Sequence, residues 1–325
     1  MKKLMVTIPA YNEEKGISYV LERIPKNIGG IDNIHILVID DGSSDNTKKI
    51  ALEKGADVFS HAYNHGLGVA FRKGIEKALG MGADIIVNID ADGQFNPEDI
   101  PKLVVPIIRD EAEVVTASRF ISKSHKPKMP WVRYLGNKFM SFIISRIIGK
   151  RFFDVSCGFR AYSREAALRL NLFGRFTYTQ ETFIDLAAKD VSIMEIPIEI
   201  KGEREFGKSK ISSNLFKYAL YTLRIIFGAF RDYKPLRLMT FFSSIFILIG
   251  IPSGTFFLIH YVQTGAFRPH TWAGFLSFSA FVLALFMIVV GVFMEMFSRM
   301  RMNQEQLLYY SKKEQYKKTD KQNLT

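Results

Sequence analysis

The chain has 325 residues, of which 48% are hydrophobic, a formal net charge of +12 and one cysteine. That length holds one large domain or two smaller ones, with apolar residues enough for a sizeable core. The lone Cys157 excludes an internal disulfide and a Cys-type zinc site, and the six histidines show no metal-ligand spacing.

The charge is unevenly placed. Residues 201–237 carry nine Lys or Arg against three acids, and a second basic cluster runs from Arg299 to the end. Basic clusters beside apolar runs point to a membrane surface rather than to nucleic acid. No secretory signal is read at the start, because the apolar run after Met1-Lys2-Lys3 stops at Pro9 and turns polar.

Residues 4–8 predict a short buried strand. Pro9-Ala10-Tyr11-Asn12-Glu13-Glu14 breaks it and leads into a helix to about Arg23, with Asn12 as the expected cap. Residues 35–39 predict a second strand ending in Asp40-Asp41-Gly42-Ser43-Ser44-Asp45, then a helix over about 46–54. A short strand at 56–60 precedes a helix opened by Gly66-Leu67-Gly68 and running to about Leu79. The apolar run 84–89 has strand length and ends in Asp90-Ala91-Asp92-Gly93-Gln94, after which Asn96 caps a helix with Pro97 in its first turn. Residues 113–118 predict a further strand ending at Arg119. Strand–helix alternation of this kind predicts an α/β fold with a parallel, doubly wound sheet.

Such a sheet binds ligands past the C-terminal ends of its strands. Asp40/Asp41 and Asp90/Asp92 therefore converge on one edge. Two hard carboxylate ligands there can hold Mg²⁺ or Mn²⁺, which in turn can hold a pyrophosphate. No Gly-x-Gly-x-x-Gly follows the first strand and no P-loop occurs, which argues against a dinucleotide cofactor and against nucleoside triphosphate hydrolysis.

The second half changes character. A loop rich in Lys, Ser and Pro at 122–130 leads to an apolar helix over 131–148, which fits a membrane interface and a protein core equally well. Residues 154–162 read as extended, 177–189 as a helix entered through Thr177-Tyr178-Thr179-Gln180-Glu181, and 193–200 as a strand. A polar loop at 202–210 carries Arg204, Lys208 and Lys210, and an amphipathic helix follows to about Phe230. Residues 238–259 and 271–294 contain no charged side chain, and each run is long enough to cross a bilayer. Pro252 is expected to bend the first. Basic residues flank the pair on both outer sides, so the positive-inside rule puts the N-terminal domain and the C-terminal tail in the cytoplasm. The tail from 303 onward is polar and expected to be flexible.

The ordered set Pro9-Ala10-Tyr11-Asn12-Glu13-Glu14, Asp40-Asp41-Gly42-Ser43-Ser44-Asp45-Asn46-Thr47, Asp90-Ala91-Asp92-Gly93-Gln94, Ser118-Arg119-Phe120 and Gly158-Phe159-Arg160 resembles the inverting family 2 glycosyltransferases of GT-A fold. More narrowly it resembles the polyprenyl-phosphate glycosyltransferases, among them dolichol-phosphate mannose synthases and bacterial undecaprenyl-phosphate glucosyltransferases. The resemblance implies a mostly parallel, Rossmann-like GT-A domain over 1–210, with an interfacial helix at about 130–148. It implies a juxtamembrane amphipathic helix over 211–235, a membrane hairpin over 236–298 (helices at about 238–261 and 271–297) and a basic tail over 299–325. It further implies transfer of a sugar from a UDP- or GDP-sugar to a polyprenyl phosphate, at a cell membrane or an endoplasmic reticulum membrane. Pro9, Tyr11, Glu13 and Asp41 would contact the nucleoside. Asp90, Asp92 and Gln94 would surround Mg²⁺ or Mn²⁺, and Lys208 and Lys210 would close over the pyrophosphate. Arg119 and Arg133 would hold the acceptor phosphate, with Glu181 on the acceptor side.

Two rival readings stay open at this point. With a hydroxyl acceptor on another membrane glycolipid, Glu181 or Asp154 would have to serve as base. A membrane-anchored sugar-nucleotide binder would need no turnover at all. Assembly of several copies and the identity of the sugar are also left open.

Overall fold

The computed structural model describes residues 2–122, 129, 131–172, 178–200, 227–228 and 231–322. The expected amphipathic helix over 211–235 and the loop carrying Lys208 and Lys210 lie almost wholly outside them.

The first half follows the predicted alternation. β1 (Lys3–Ala10), α1 (Glu14–Arg23), β2 (Asn33–Asp40), α2 (Thr47–Glu53), β3 (Asp57–Ser60), α3 (Leu67–Gly80) and β4 (Ile85–Asn88) come in order. A 3-10 turn, Pro97–Asp99, then leads into α4 (Ile100–Ile108) and β5 (Val114–Ser118). Asn96 caps the turn as expected, accepting a hydrogen bond from the Glu98 N–H. The expected Asn12 cap is not made. Glu13 holds that position without a side-chain bond, and Asn12 turns left-handed at φ 52°. Its Oδ1 instead accepts from the Ser44 N–H at 2.8 Å, and its own N–H donates to Ser43 Oγ at 2.9 Å. Asparagine tolerates this conformation better than most residues, and here it clasps the loops after β1 and β2 together.

After α5 (Trp131–Ile148) the chain forms β6 (Arg160–Ser163), α6 (Arg164–Arg169), α7 (Thr179–Ala188) and β7 (Ile193–Pro197). The seven strands lie in the order β3-β2-β1-β4-β6-β5-β7. β6 runs antiparallel between β4 and β5, and every other pairing is parallel. The sheet is therefore mostly parallel, with one reversed strand inside it. β4 and β5 still point the same way, so Asp90, Asp92 and Arg119 leave the sheet at one edge.

Both faces of the sheet are covered, which is why its strands read as unbroken apolar runs. Leu4, Val6 and Ile8 face a core shared with Ile17, Val20, Leu103 and Val104. Met5, Ile39 and Ile86 face the opposite layer with Phe71, Ile75 and Ala78.

α5 buries Met140 and Ile144 on the side that faces the protein. Its buried side carries polar residues: Ser141 Oγ donates to Phe153 O, Ser145 Oγ accepts from the Phe152 N–H, and Asn137 Oδ1 accepts from Ser156 Oγ. Trp131, Leu135, Phe139 and Phe142, spaced by three and four residues, are exposed on the described surface. The helix is amphipathic with its aromatic face outward.

The chain divides into two compact units, Met1–Ile225 with Glu305–Thr325, and Ile226–Gln304. The second holds α8 (Pro235–Thr264) and the membrane-length part of α9 (Thr271–Gln322). Both are long and apolar enough to cross a membrane, and their most apolar stretches are only 11% and 22% buried, unlike the core helices of a soluble protein. Small residues let the two helices touch. Ser277 Oγ donates to Gly250 O at 2.9 Å, and Ser243 Oγ donates to Ala284 O at 3.0 Å.

The tail is helical and docked rather than flexible. Glu305 pairs with Lys189 at 2.9 Å, Lys312 Nζ donates to Leu170 O and Asn171 Oδ1 at 2.8 Å each, and Tyr309 and Lys313 both reach Glu165. Tyr309 and Tyr316 pack on the core layer that holds Phe71 and Leu168. Two cations, Lys312 and Lys189, thus meet the carbonyls at the end of α6, where a helix favours positive charge. Lys312→Ala is expected to remove about 1–2 kcal/mol, read as a fall of a few degrees in the thermal midpoint of the detergent-solubilised protein. An unchanged midpoint would show that the tail is not held there.

Candidate active site

Asp90 and Asp92 owe their position to three neighbours. The β1–β4 ladder ends at Thr7 and Asn88, and one further bond, Ile89 N–H to Thr7 O at 3.1 Å, brings the chain to Asp90. Ala91 turns into the core and is buried. α1 then presses on the loop from behind: a Cβ on Gly16 would stand 2.4 Å from Ala91 O and 3.3 Å from the Asp92 Cα. Only glycine permits this approach, so the first turn of α1 and the acidic loop are in backbone contact. Asp92 is buried, and its Oδ1 accepts from the Gln94 N–H at 3.1 Å.

Among the described residues, no group of three or more His, Cys, Asp or Glu side chains comes together as a metal cage. Asp90 and Asp92 with the Gln94 amide could offer oxygen donors of another kind, which would suit a hard cation that takes its remaining ligands from phosphate oxygens and water, as Mg²⁺ commonly does.

On the neighbouring strand end Asp41 is buried, and both its oxygens are engaged. Oδ1 accepts from the His65 N–H at 3.0 Å and lies 2.8 Å from His61 Nδ1, and Oδ2 accepts from the Gly66 N–H at 2.8 Å. Asp41 thus ties the loop after β3 to the end of β2. Tyr11 is 36% exposed just beyond β1, next to the buried Pro9, and Glu13 starts α1.

Arg119 follows β5. Its Nε donates to Asp154 Oδ2 at 2.6 Å, and its Nη2 donates to Asp154 Oδ1 and to Ser156 Oγ, both at 2.8 Å. Asp154 is fully buried. Burial alone would raise its carboxyl, but the charge and hydrogen bonds of Arg119 outweigh this and hold it below its ordinary range. A buried carboxylate held in its charged form by two Arg119 donors is a weak proton acceptor, so its evident task is to anchor Arg119. Glu195 supports the same segment by accepting the N–H groups of Phe153 and Asp154, and burial pushes its carboxyl up. Burial likewise raises the Cys157 thiol to about 12, which leaves it an inert core residue.

Glu181 lies half-buried in the first turn of α7, one turn beyond Tyr178. Arg133 lies in α5, with its side chain outside the described residues, as are Lys208 and Lys210. Sequence reasoning missed Asn88, Tyr178 and the anchoring role of Asp154. The one available signal was Asn88, an amide closing an otherwise apolar strand.

The profile described as Glycosyl transferase family 2 matches residues 5–170. A UDP-N-acetylglucosamine–dolichyl-phosphate N-acetylglucosaminyltransferase of Methanococcus voltae is 35% identical over 218 residues, covering 61% of this chain and 85% of the relative. An undecaprenyl-phosphate 4-deoxy-4-formamido-L-arabinose transferase of Proteus mirabilis is 29% identical over 308 residues, covering 91% of this chain and 86% of the relative. Among solved structures, glucosyl-3-phosphoglycerate synthase from Mycobacterium tuberculosis, in complex with Mg²⁺ and UDP, shares the fold at a TM-score of 0.53 and 22% identity, over 70% of this chain and 80% of that one.

Asp154 gives a pH-dependent expectation. Its folded value lies below the ordinary 3.8, so its stabilisation is present above that value and is lost as pH falls through the folded one. Asp154→Asn is expected to cost about 3 kcal/mol at pH 7, because it leaves a cation without its buried partner. The gap to the parent protein narrows below about pH 4. Denaturant unfolding at both pH values checks this, and equal stability at pH 7 would contradict it.

Proposed function

Because this chain belongs to glycosyl transferase family 2, we propose that it transfers a hexose or N-acetylhexosamine, with inversion, from a UDP- or GDP-sugar to a membrane polyprenyl phosphate. The observation that carries the reading is a single sheet edge. Asp90 and Asp92 leave β4 there, and Arg119 leaves β5 two places along the sheet.

The two halves of the edge have different tasks. Pro9, Tyr11, Glu13 and the loop fixed by Asp41 would bound the nucleoside. Asp90, Asp92 and Gln94 would hold Mg²⁺ or Mn²⁺, which supplies Lewis-acid stabilisation of the departing pyrophosphate. Lys208 and Lys210 would add positive charge on the same group. Arg119 and Arg133 would orient the acceptor. Arg119 has its Nε and Nη2 engaged by Asp154 and Ser156, so it would meet a phosphate as a fixed charge rather than as a two-pronged clamp.

A phosphate monoester has a second pKa near 6 and is largely dianionic at pH 7. It brings its own nucleophilic oxygen, and the protein need only place it. That fits a site where Asp154 is locked away. A hydroxyl acceptor would instead depend on Glu181 as base.

The outward aromatic face of α5 suits a bilayer interface, where Trp and Phe sit at headgroup depth while Lys138 and Arg146 reach anionic groups. With α8 and the first part of α9 as the membrane hairpin, the basic flanks support a topology with both the transferase domain and the C-terminus on the cytoplasmic side.

Incubating the detergent-purified chain with polyprenyl phosphate, Mg²⁺ or Mn²⁺ and labelled UDP- or GDP-sugars is expected to move label into an acid-labile, organic-soluble product. Asp92→Ala is expected to lower the rate by roughly 10²-fold or more. Arg119→Ala is expected to raise the apparent KM for the lipid. No product with any donor, from folded protein, would overturn the acceptor assignment. Undiminished metal-dependent turnover by Asp92→Ala would overturn the metal assignment.

A further inference from the structure

Beyond Asn88 the strand ladder no longer holds β4, so Asp90 needs another support. The structure shows what it lies against. Asn88 is fully buried, and its Nδ2 donates to Gly158 O at 3.1 Å and to the Tyr178 hydroxyl at 2.7 Å. The Tyr178 hydroxyl donates to the same Gly158 O at 3.2 Å. The Tyr178 ring is buried and stacked on Phe71, with centroids 3.8 Å apart and planes within 5°. Gly158 fills the gap between the hydroxyl and the aspartate. A Cβ there would stand 2.7 Å from Tyr178 Oη and 3.1 and 3.4 Å from the two carboxylate oxygens of Asp90.

We propose that Tyr178 is a positioning residue for Asp90: the Asn88–Tyr178–Gly158 cradle fixes the surface on which the Asp90 carboxylate rests and so presents it to a divalent cation. The inference rests on the reading of Asp90 as a metal ligand and adds a supporting layer to it. A carboxylate packed on a hydrogen-bonded backbone loses its alternative rotamers before the cation arrives, so less freedom is lost on binding. The side chain that forms this layer stands 88 residues away in sequence and caps no strand, which is why the Asp-x-Asp pattern alone does not reveal it. Tyr178 also sits at the N-terminal end of α7, one turn before Glu181. The same hydroxyl therefore links the metal side of the edge to the helix bearing the acceptor-side acid.

The test is direct cation binding to the full-length detergent-solubilised protein. Free Mn²⁺ is followed by electron paramagnetic resonance with UDP present, and with GDP in a parallel series. Tyr178→Phe keeps the stacking on Phe71 and removes only the hydroxyl. It is expected to raise the Mn²⁺ dissociation constant about tenfold. The apparent KM for Mn²⁺ in turnover should rise by the same factor, with kcat recovered at saturating Mn²⁺. A purely structural role would not produce that split. Gly158→Ala pushes on Asp90 directly, is expected to act in the same direction, and decides the matter should Tyr178→Phe not fold. Folded variants that bind Mn²⁺ as the parent does, or whose kcat no concentration of Mn²⁺ restores, overturn the proposal. Asp90→Asn is the control: undiminished Mn²⁺ binding there would overturn the metal reading of Asp90 itself, whatever Tyr178 does.

Discussion

The segment 152–158 is largely buried, irregular and without a ladder, yet it carries as many backbone polar groups as a strand of its length. A buried N–H or C=O without a partner costs about as much as a lost hydrogen bond. The fold meets that demand largely with side chains from five other parts of the chain. Ser145 accepts from the Phe152 N–H, Glu195 from those of Phe153 and Asp154, and Ser141 donates to Phe153 O. Arg160 Nη2 donates to Val155 O, Asp154 accepts from the Ser156 N–H, and Asn88 with Tyr178 serves Gly158 O. These partners come from α5, β7, β6, β4 and the entry to α7, while Arg119 after β5 closes on Asp154. The segment is where they meet, and it holds each at a fixed height over the sheet edge.

That constraint accounts for the polar residues in the core. Arg160 is 1% exposed, donates to Thr179 O at 2.8 Å and lies 4.5 Å from the Phe183 ring centre. Its guanidinium joins the buried segment to the start of α7. The same requirement explains the polar residues on the buried side of α5. Asn137, Ser141 and Ser145 turn inward beside Met140 and Ile144 because the segment needs hydrogen-bond partners, while Trp131, Leu135, Phe139 and Phe142 are exposed together with Lys138 and Arg146.

What the sequence made legible was local. Apolar runs marked the strands, and alternation marked the sheet. Acids directly after apolar runs marked Asp40, Asp41, Asp90 and Asp92 as edge residues, because strand direction fixes which end binds ligand. What it hid was long-range. β6 is four residues long, and its direction depends on pairing with β4 and β5, which no local pattern encodes. Asp154 looked like one more candidate acid, because its partner Arg119 lies 35 residues away. The tail looked flexible because its Lys, Glu and Tyr residues match those of solvated helices. Their partners Glu165, Leu170 and Lys189 are more than a hundred residues distant.

This division follows the two halves of the proposed site. The proposed donor half consists of loops that directly follow predicted strands, so short motifs describe it. Even there the geometry adds what no motif states: the Asp41 carboxylate accepts from the His65 and Gly66 N–H groups and meets His61, so it holds the loop after β3 against the end of β2. The proposed acceptor half would use Arg119, which is oriented by a buried carboxylate whose own N–H is held by Glu195. Positioning through a chain of buried hydrogen bonds is strong only when each member is satisfied, because low polarity strengthens made bonds and penalises missing ones alike. For the dianionic acceptor proposed, the nucleophile would arrive already charged, and the protein's task would be to keep one cation in one place.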